Sequence, residues 1–462
     1  MSPKGVREQN TFLCPTATYR QRARTVNATT PLVVHSHCAG MDAPLYALKL
    51  LGVKTSLALV TEKDPSTAFF HLLQHQSKHV ISDISFACKP KGPCVKHNGA
   101  MCDLPCEAPD IILGSFVCKP YSRQNPKRHQ SDCCKPPGEA NDNDTFYHLR
   151  SAIAKYAPRY FLLENVDGVN MRRSPDDATS PLDYMLNDVT HGLRTIVDET
   201  GKRVYTVEVV SAATGVSVNS PQHRPRTLFF GCKCTNDHDA ASLVQMFREL
   251  SVSCGCKIWP IDAFLTETTK KGVRSGPPAQ EDQDAKGQDD DVSDDEGNVD
   301  SKIRYLQIVT QELRAMKEAQ KWPDTARMPP MKNRPSVTCS ELKTEPARVR
   351  AVADILSVVT AAAVANKYGD APPSWAHPLA DVSQSATRAA WRIDGLIPTV
   401  CTNTHLYSFK LCKFICCKDV VVSMGYPDSV PFAIFSKAHF SRAPHVMHAR
   451  PQTCSRPGGP PL

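Results

Sequence analysis

Cys118 is the residue of this sequence whose surroundings best suit covalent chemistry. It closes the segment Gly114-Ser115-Phe116-Val117-Cys118, directly after an apolar run that predicts a strand. Because ligands of open α/β sheets bind at the carboxyl ends of strands, we expect this thiol to face a site. The alternative is an inert thiol, which most of the 19 cysteines must be. Basic residues that favour the nucleophilic thiolate follow it: Lys119, Arg123, Lys127 and Arg128.

A carboxylic acid ends another predicted strand. The apolar run Phe161-Leu162-Leu163 leads into Glu164 and Asn165. At the same sheet edge as Cys118, Glu164 can hydrogen-bond and protonate a ring nitrogen, which makes the ring electrophilic. The alternative is an ordinary acid at the end of a strand.

Two arginines precede a further apolar strand, in the segment Ser220-Pro221-Gln222-His223-Arg224-Pro225-Arg226. Alternate residues of an extended segment point to one face, so Gln222, Arg224 and Arg226 can converge. Two guanidinium groups side by side suit a carbonyl oxygen or a phosphate group.

A small-residue turn follows the first predicted strand, at His37-Cys38-Ala39-Gly40-Met41-Asp42-Ala43, and leads into a helix. Such a turn lets backbone amides approach a ligand near a helix N-terminus. Glu62 ends the next strand, where nucleotide-binding folds place an acid on the ribose hydroxyls. Asp83 can accept a hydrogen bond from an adenine amino group. Taken singly, each acid is more often a solvated loop residue.

The elements that must position these residues alternate between short apolar runs and amphipathic stretches, which is typical of an α/β layered domain. The predicted strands are Leu32–Ser36, Thr55–Thr61, Asp110–Gly114, Tyr160–Glu164, Val204–Ser211 and Thr227–Gly231. The predicted helices are Pro44–Leu51, Pro65–His75, Thr145–Tyr156, Pro181–Thr195, Ser301–Lys321 and Val349–Ala365. Parallel strands with crossover helices are the natural assembly.

The composition favours a soluble protein with a polyanionic partner. The net charge is +8 although much of the acid is concentrated between Asp284 and Asp300, so the remaining surface is more basic than the total. A merely basic soluble protein is the alternative. Stretches such as Leu57–Val60 and Asp419–Met424 are far too short to cross a membrane, and we expect no membrane partner. The odd number of cysteines, 19, favours free thiols in a reducing compartment.

Two groups of cysteines have spacings that could serve a metal. Cys232, Cys234, Cys254 and Cys256 form two Cys-x-Cys pairs that can hold one zinc ion. We favour unliganded thiols, because Cys-x-Cys is not the usual spacing of structural zinc. A looser group consists of Cys88, Cys94, Cys102 and Cys106, and here too we favour ordinary thiols.

The order of these motifs resembles the cytosine-5 DNA methyltransferases. The similarity covers about residues 32 to 231, and a later stretch, Gly395–Val400 with Val422–Asp428, resembles the family segment that follows the target-recognition domain. This sequence departs from the family pattern at Cys38, where an aromatic is usual, and at Val117 and Lys119, which flank the nucleophile. The family's closing Gly-Asn motif is not found after Tyr426-Pro427.

The resemblance implies an enzyme that transfers a methyl group from S-adenosyl-L-methionine to carbon 5 of a flipped-out cytosine. Cys118 would attack carbon 6 while Glu164 holds ring nitrogen 3, Arg226 and Arg224 would contact the base or the loop of the thiol, and Asn165 would orient that loop. The residues implied to bind the cofactor are Cys38, Ala39, Gly40, Met41, Asp42, Glu62, Asp83 and Ile84. Those expected to bind nucleic acid are Ser122, Arg123, Lys127, Arg128 and Gln222.

The predicted fold is α/β, a Rossmann-like mixed sheet flanked by helices, with a smaller irregular target-recognition domain. The predicted segments are a basic disordered arm at 1–30, the catalytic domain at 31–231, the target-recognition region at 232–394 with a disordered acidic insert at 276–300, a return segment to the catalytic domain at 395–435, and an irregular tail at 436–462.

Two alternatives to a DNA methyltransferase remain. One is an RNA (tRNA) cytosine-5 methyltransferase with the same catalytic residues, although the Cys-Phe-Thr signature of the tRNA-modifying branch is not found. The other is a catalytically inactive DNA-binding relative, which the missing Gly-Asn motif favours. We expect a monomer in the nucleus, with an organelle, reached through the basic arm, or the cytoplasm as the alternatives.

Overall fold

The computed structural model describes residues 30–123, 125, 144–172, 179–213, 224–233, 237–253, 261, 265, 299–324, 326–400 and 404–423. Within these, the chain divides into two compact units. The first is formed by the described residues between 30 and 253, and the second by those between 261 and 423.

The first unit is built on a mixed sheet of nine strands among the described residues, in the order β5-β4-β3-β2-β1-β6-β7-β9-β8. The strands are β1 (Leu32–His37), β2 (Thr55–Thr61), β3 (His79–Ile81), β4 (Lys91–Cys94), β5 (Ala100–Asp103), β6 (Ile111–Ser115), β7 (Tyr160–Val166), β8 (Tyr205–Ala213) and β9 (Arg226–Lys233). The five central strands β3, β2, β1, β6 and β7 are parallel, whereas both edges are antiparallel. The carboxyl ends of the parallel strands therefore share one edge of the sheet.

Five helices are described in this unit, and two of them begin at residues with side-chain caps. They are α1 (Ala43–Leu50), α2 (Pro65–Gln74), α3 (Asp144–Tyr156), α4 (Pro181–Asn187) and α5 (Asp237–Ser253). Asp64 accepts a 2.8 Å hydrogen bond from the Thr67 amide at the start of α2, and Ser180 and Asp183 form a reciprocal capping box on α4. Both α2 and α4 have a proline in the first turn, where no amide hydrogen is required.

Both faces of the sheet are buried, as a parallel sheet requires. One face carries Ile112 of β6 and Phe161 of β7, which pack with Leu149 and Ile153 of α3. The other carries side chains of β1, β2 and β6: Val34, Leu57, Val60 and Leu113. Burial of each such aliphatic or aromatic side chain contributes about 1.5–3 kcal/mol. This core holds the ends of the central strands in a fixed relation to one another.

The predicted α/β fold is confirmed, and all six predicted strands are present with their ends moved by two residues at most. The prediction that a helix continues from Pro181 to Thr195 was wrong, because α4 ends at Asn187. The next residue, Asp188, accepts hydrogen bonds from the amides of Thr190 and His191, and this turn competes with helical pairing.

The first unit extends past residue 231. Strand β9 continues to Lys233, and α5 packs on β8 and β9, with the rings of Phe230 and Phe247 stacked at 4.9 Å and Arg248 bound to Glu208. The proposed start of the target-recognition region at residue 232 thus falls inside a strand of this sheet.

The second unit combines helices with a small antiparallel sheet. Its helices are α6 (Val299–Glu318), α7 (Pro335–Thr338), α8 (Ser340–Lys343), α9 (Ala347–Tyr368) and α10 (Cys417–Ser423). Its strands are β10 (Leu379–Asp381), β11 (Trp391–Arg392), β12 (Leu406–Ser408) and β13 (Lys413–Phe414), in the order β11-β10-β12-β13. Residues 395–400 and 404–423, part of the predicted return segment, belong to this unit. The return to the catalytic domain stays a prediction.

Helix α9 is long and apolar enough to cross a membrane by length and composition. The expectation that the apolar stretches are too short for this overlooked it. Many of its side chains, among them Val352, Ile355 and Leu356, are instead buried against residues of the second unit such as Ala380 and Tyr407. These contacts are those of a core helix.

Candidate active site

The segment after β6 carries Cys118 and is held in place by hydrogen bonds on both sides. The amide of Val117 donates to Oγ1 of Thr145 on α3 at 3.0 Å. The Nδ2 group of Asn165, a residue only 1% exposed, donates to the carbonyl of Phe116 at 2.9 Å. The amides of Tyr121 and Ser122 both donate to the Cys118 carbonyl at 3.0 Å. The loop of the thiol is therefore fixed by the two elements that follow it in the chain.

Strand register brings an acid next to this loop. Glu164 of β7 lies opposite Ser115, the last residue of β6. On the other side of β7, Arg226 begins the antiparallel strand β9 opposite Val166. The strand register therefore places Glu164 and Arg226 at the edge of the sheet where the segment of Cys118 begins. The sequence predicted this proximity.

Glu164 is bound by two arginines. The Nε group of Arg226 donates to Oε1 of Glu164 at 2.5 Å, and Nη2 of Arg224 lies 3.9 Å from the same oxygen. Both of these contacts are made to Oε1 of Glu164 and not to its Oε2. Arg226 is 10% exposed, and its Nη1 group donates to the Pro225 carbonyl at 2.9 Å. Its Nη2 group is buried without a hydrogen-bond partner in the described part of the chain, so the site retains an unused donor.

The thiol of Cys118 is half-buried, and this burial raises its pKa above the ordinary value of 9.0. The positive charges of Arg226 and Arg224 oppose the rise, while the negative charge of Glu164 adds to it. The sequence had favoured thiolate because of the basic loop after Cys118. This expectation is corrected in two ways. The effect of desolvation on the pKa of Cys118 is larger than that of the nearby positive charges, and these charges belong to the arginines at the start of β9 rather than to the loop after Cys118.

Gly168 lets the turn after β7 reach the same loop. A Cβ atom at this position would lie 1.9 Å from the carbonyl oxygen of Tyr121. In the same turn, Asp167 accepts a 3.1 Å hydrogen bond from Arg123. Sequence reasoning missed Thr145, Asp167 and Gly168, because each acts through a contact that only the folded chain creates. A glycine three residues after Asn165 was the one available signal.

A second cluster forms where β1 and β2 end. The turn after β1 has three residues with left-handed backbone, Cys38 (φ 49°), Gly40 (φ 54°) and Asp42 (φ 57°). Glu62 is 5% exposed and joins this turn to β2: its Oε2 accepts from the Gly40 amide at 2.8 Å and its Oε1 from the Asp64 amide at 2.9 Å. Glu62 thus shapes the turn.

Three of the predicted cofactor residues meet at the Cys38 thiol. Burial, together with the negative charges of Glu62 and Asp83, raises the pKa of Cys38 to about 12. Asp83 follows β3 and accepts a 2.7 Å bond from the Ser85 amide, which starts a short 3-10 helix with buried Ile84 as its first residue. The ends of β1, β2 and β3 therefore place two carboxylates near one another and form an acidic wall.

Asp42 and His71 are buried together behind this turn, with Nδ1 of His71 3.9 Å from Oδ2 of Asp42. Burial raises the pKa of Asp42 to about 7 and lowers that of His71 to about 3. The two therefore do not form an ion pair at neutral pH. His71 instead hydrogen-bonds the Gly40 carbonyl through Nε2 at 2.8 Å and holds the turn from behind.

A family model described as C-5 cytosine-specific DNA methylase matches residues 34–334, more than half of the chain. The chain belongs to the C-5 cytosine-specific DNA methylase family. This confirms the resemblance seen in the sequence, and the match covers all the residues gathered in both clusters.

Two solved structures similar to this chain are described as methyltransferases. One is described as a DNA modification methyltransferase encoded within an E. coli prophage, with 17% identity, coverage of 44% of this chain and 47% of that chain, and a TM-score of 0.27. The other is the S. pombe Dnmt2 methyltransferase, with 16% identity, coverage of 51% and 59%, and a TM-score of 0.32. The chain therefore spans less than two thirds of the length of either protein. No match was found among curated proteins.

The acidic wall suits the methyl donor that the family implies, S-adenosyl-L-methionine. The sulfonium and the ammonium group of this donor are cationic, and Glu62 and Asp83 offer carboxylates to such a ligand. A Cβ atom on Gly40 would meet no atom within 4 Å, so the turn leaves space beside it. The residues present therefore fit the donor.

Several predicted site residues of the methylase lie outside the described residues: Lys127, Arg128, Gln222, Cys234, Cys254 and Cys256. Of the predicted phosphate contacts, Ser122 and Arg123 are described, and both follow the thiol directly. Cys232 is 5% exposed within β9. The prediction of unliganded thiols at the Cys-x-Cys pairs, with zinc binding as the alternative, stays a prediction.

Proposed function

We propose that this methylase transfers a methyl group from S-adenosyl-L-methionine to carbon 5 of cytosine in DNA through a covalent adduct with Cys118. The observation that carries the proposal is the proximity of three groups: Arg226 binds Glu164, and the charges of both act on the Cys118 thiol. The guanidinium group of Arg226 fixes Oε1 of Glu164. A nucleophile, a proton donor and a buried Nη2 group that has no hydrogen-bond partner in the described part of the chain are thus placed together, as chemistry on a base requires.

The reaction follows from what each side chain can do. The thiol of Cys118 loses its proton, and Sγ bonds to carbon 6 of the base. Glu164 donates a proton to ring nitrogen 3 through Oε2, so electron density moves to carbon 5. When bound, the donor would supply an electrophilic methyl group to carbon 5 and would leave as a neutral thioether, S-adenosylhomocysteine, with the electron pair of the broken sulfur–methyl bond. A base then removes the proton from carbon 5, the bond between Sγ and carbon 6 breaks, and Glu164 recovers its proton.

The remaining residues of the site position these groups. Asn165 and Thr145 hold the loop of the thiol through Phe116 and Val117, and Nη2 of Arg226 is available to the base or its carbonyl oxygen. The donor would be held by the turn after β1, with Glu62 and Asp83, and by Ile84. Since the reacting atoms of a duplex are stacked, the target cytosine must leave the helix first.

DNA is the proposed partner because a basic surface suits a polyanion, and the nucleus is therefore the proposed compartment for a monomeric enzyme. Localisation of a fluorescent fusion of the full chain tests the compartment.

The test is a methyl-transfer assay with the full chain and radiolabelled S-adenosyl-L-methionine. We expect label in DNA, and we expect a DNA duplex with 5-fluorocytosine to be trapped covalently, because fluorine cannot leave carbon 5 as a proton does. Cys118→Ser is expected to abolish both signals and to leave the Kd for DNA within about twofold, because the thiol acts on a bond rather than on affinity. Cys106→Ser, at an exposed cysteine, is the matched control.

Each other result has a definite meaning. Label in RNA with none in DNA would show that the substrate is RNA, with the same mechanism, and would overturn the assignment of DNA as the substrate. Binding of DNA without label in any substrate would identify a catalytically inactive relative. Unchanged turnover of Cys118→Ser would refute the nucleophile.

A further inference from the structure

We propose that His79, Cys94, His97 and Cys102 bind one zinc ion at the edge of the nine-stranded sheet. One ligand atom of each residue lies within 4.8 Å of the ligand atoms of the other three. The closest measured pair is Nδ1 of His97 and Sγ of Cys102, at 3.0 Å. In a tetrahedral site with zinc–sulfur and zinc–nitrogen bonds of about 2.3 and 2.0 Å, ligand atoms are roughly 3.3–3.8 Å apart. Small side-chain movements would therefore close the group around an ion.

The backbone explains why these residues meet. Cys94 ends β4 and lies opposite Ile81 of β3, whose first residue is His79. A 3-10 turn follows and ends at His97, after which Asn98 (φ 54°) and Gly99 (φ 84°) reverse the chain into β5. Cys102 of β5 is then paired with Gly92 of β4. Three consecutive strands and one turn thus each contribute a ligand.

The chemistry of the four side chains suits zinc. Two thiolates and two imidazoles form an S₂N₂ set, which is the preferred environment of tetrahedral zinc. Cys94 is completely buried, and Nδ1 of His79 is buried without a hydrogen-bond partner in the described part of the chain. A buried nitrogen of this kind is costly unless it gains a partner, and a metal ion would supply one to an imidazole of the group. Two thiolates would neutralise the ion's charge.

Four protein ligands leave no open coordination position, so the site is structural. It joins the hairpin β4–β5 to β3, which ends two residues before Asp83 of the proposed cofactor pocket. The ion would also fasten β5, which lies at the edge of the sheet and pairs only with β4 among the described strands. We expect its loss to destabilise this edge and, through β3, to weaken binding of the methyl donor.

The sequence suggested a different grouping here and favoured ordinary thiols. It grouped Cys94 and Cys102 with Cys88 and Cys106, whereas the structure groups them with two histidines. The spacing Cys94-x₂-His97-x₄-Cys102 is compact enough for a metal turn, but His79 precedes it by fifteen residues. Only the pairing of β3 with β4 brings His79 close to the other three residues.

The zinc content of the full chain, measured by mass spectrometry of the metal after purification without chelators, tests the proposal. We expect His97→Ala and Cys102→Ser each to lose about one equivalent of zinc relative to the unaltered chain. Cys106→Ser, an exposed cysteine outside the group, is expected to lose none. The difference in zinc content between each variant and the unaltered chain distinguishes this site from any zinc bound at the Cys-x-Cys pairs. His97 is exposed, so its replacement spares the core.

A second measurement needs no variant. Exchange of the metal for Co²⁺ in the unaltered chain should give the charge-transfer absorption of cobalt bound to thiolate, and His97→Ala should weaken it. We also expect a strong chelator to lower the Tm of the unaltered chain by about 5 °C or more and that of Cys102→Ser by much less. Equal zinc content in all three variants, bound iron in place of zinc, or a disulfide between Cys94 and Cys102 in the freshly purified chain would each overturn the proposal. None of these readouts depends on methyl transfer.

Discussion

Arg226 and Glu164 are joined across neighbouring antiparallel strands by a 2.5 Å hydrogen bond from Nε to Oε1, although 62 residues separate them in the sequence. Glu164 lies opposite Leu228 and Arg226 opposite Val166, so the contact runs diagonally across the β7–β9 pair. Side chains related in this way lie on one face and within reach of each other when one of them is long. The carboxylate is thereby held in one orientation beside the thiol of Cys118.

Replacement Glu164→Gln removes the proposed proton donor and keeps the size and an oxygen acceptor for Arg226. We expect the rate of methyl transfer to fall about 10²–10⁴-fold, because that is the range contributed by a positioned acid. The Tm should change little, since Glu164 is 31% exposed. Single-turnover assays with saturating donor measure the rate. Transfer at the unaltered rate would remove Glu164 from the mechanism.

Alkylation of Cys118 by iodoacetamide should increase through pH 7–9 without reaching a plateau. Only the thiolate reacts, and burial raises the pKa of this thiol above 9.0. Arg226→Gln removes the cation that most opposes the rise, so alkylation at a given pH should become slower. Peptide mass spectrometry of residue 118 gives the rate, with Arg248→Gln, an exposed arginine of α5, as the control. A plateau below pH 8 would contradict the prediction.

Replacement Gly168→Ala should displace the loop of the thiol. The added methyl group would lie 1.9 Å from the Tyr121 carbonyl oxygen, and relief of such overlap costs about 1–3 kcal/mol. We expect methyl transfer to fall at least about tenfold, together with a lower Tm. In the control Gly201→Ala, the new methyl group meets no atom within 4 Å and only the backbone, at φ 80°, is strained. If both variants transferred methyl groups equally fast, the contact would have no part in positioning Cys118.

Asp42 should make the stability of the chain fall as the pH rises. Its pKa is about 7 in the folded state against 3.8 ordinarily, so the folded state holds the proton more tightly. This contribution is complete below about pH 4 and is lost as the pH rises through 7. Asp42→Asn does not titrate, and we expect it to gain stability relative to the unaltered chain between pH 5 and 8, by at most about 1.4 kcal/mol per pH unit. Urea unfolding at several pH values measures this difference, and parallel profiles of the two proteins would contradict it.

The sequence predicted the central sheet because its signals are local. Each of the strands β1, β2, β6 and β7 contains a short apolar run, and the proposed catalytic residues Cys118 and Glu164 lie at or soon after the ends of two of them. Parallel pairing then places strand ends together, so the proximity of Cys118 and Glu164 needs no further information.

The sequence could not predict features that depend on contacts between distant segments. The strand Lys91–Cys94 reads Lys-Gly-Pro-Cys, which has no strand pattern, and it forms because β3 and β5 pair with it. The raised pKa of Cys118 was missed for the same reason. Burial depends on the whole fold, whereas the basic residues after the cysteine are visible in the sequence.

Helix α9 has a consequence for synthesis of the chain. Part of its cover, such as Met316 and Leu342, precedes it in the sequence, whereas Ala380, Val382 and Tyr407 come later. A segment apolar enough to be mistaken for a membrane anchor thus leaves the ribosome before its cover is complete. We therefore expect the nascent chain to be bound by chaperones until about residue 407 has emerged, and truncations before that point to aggregate.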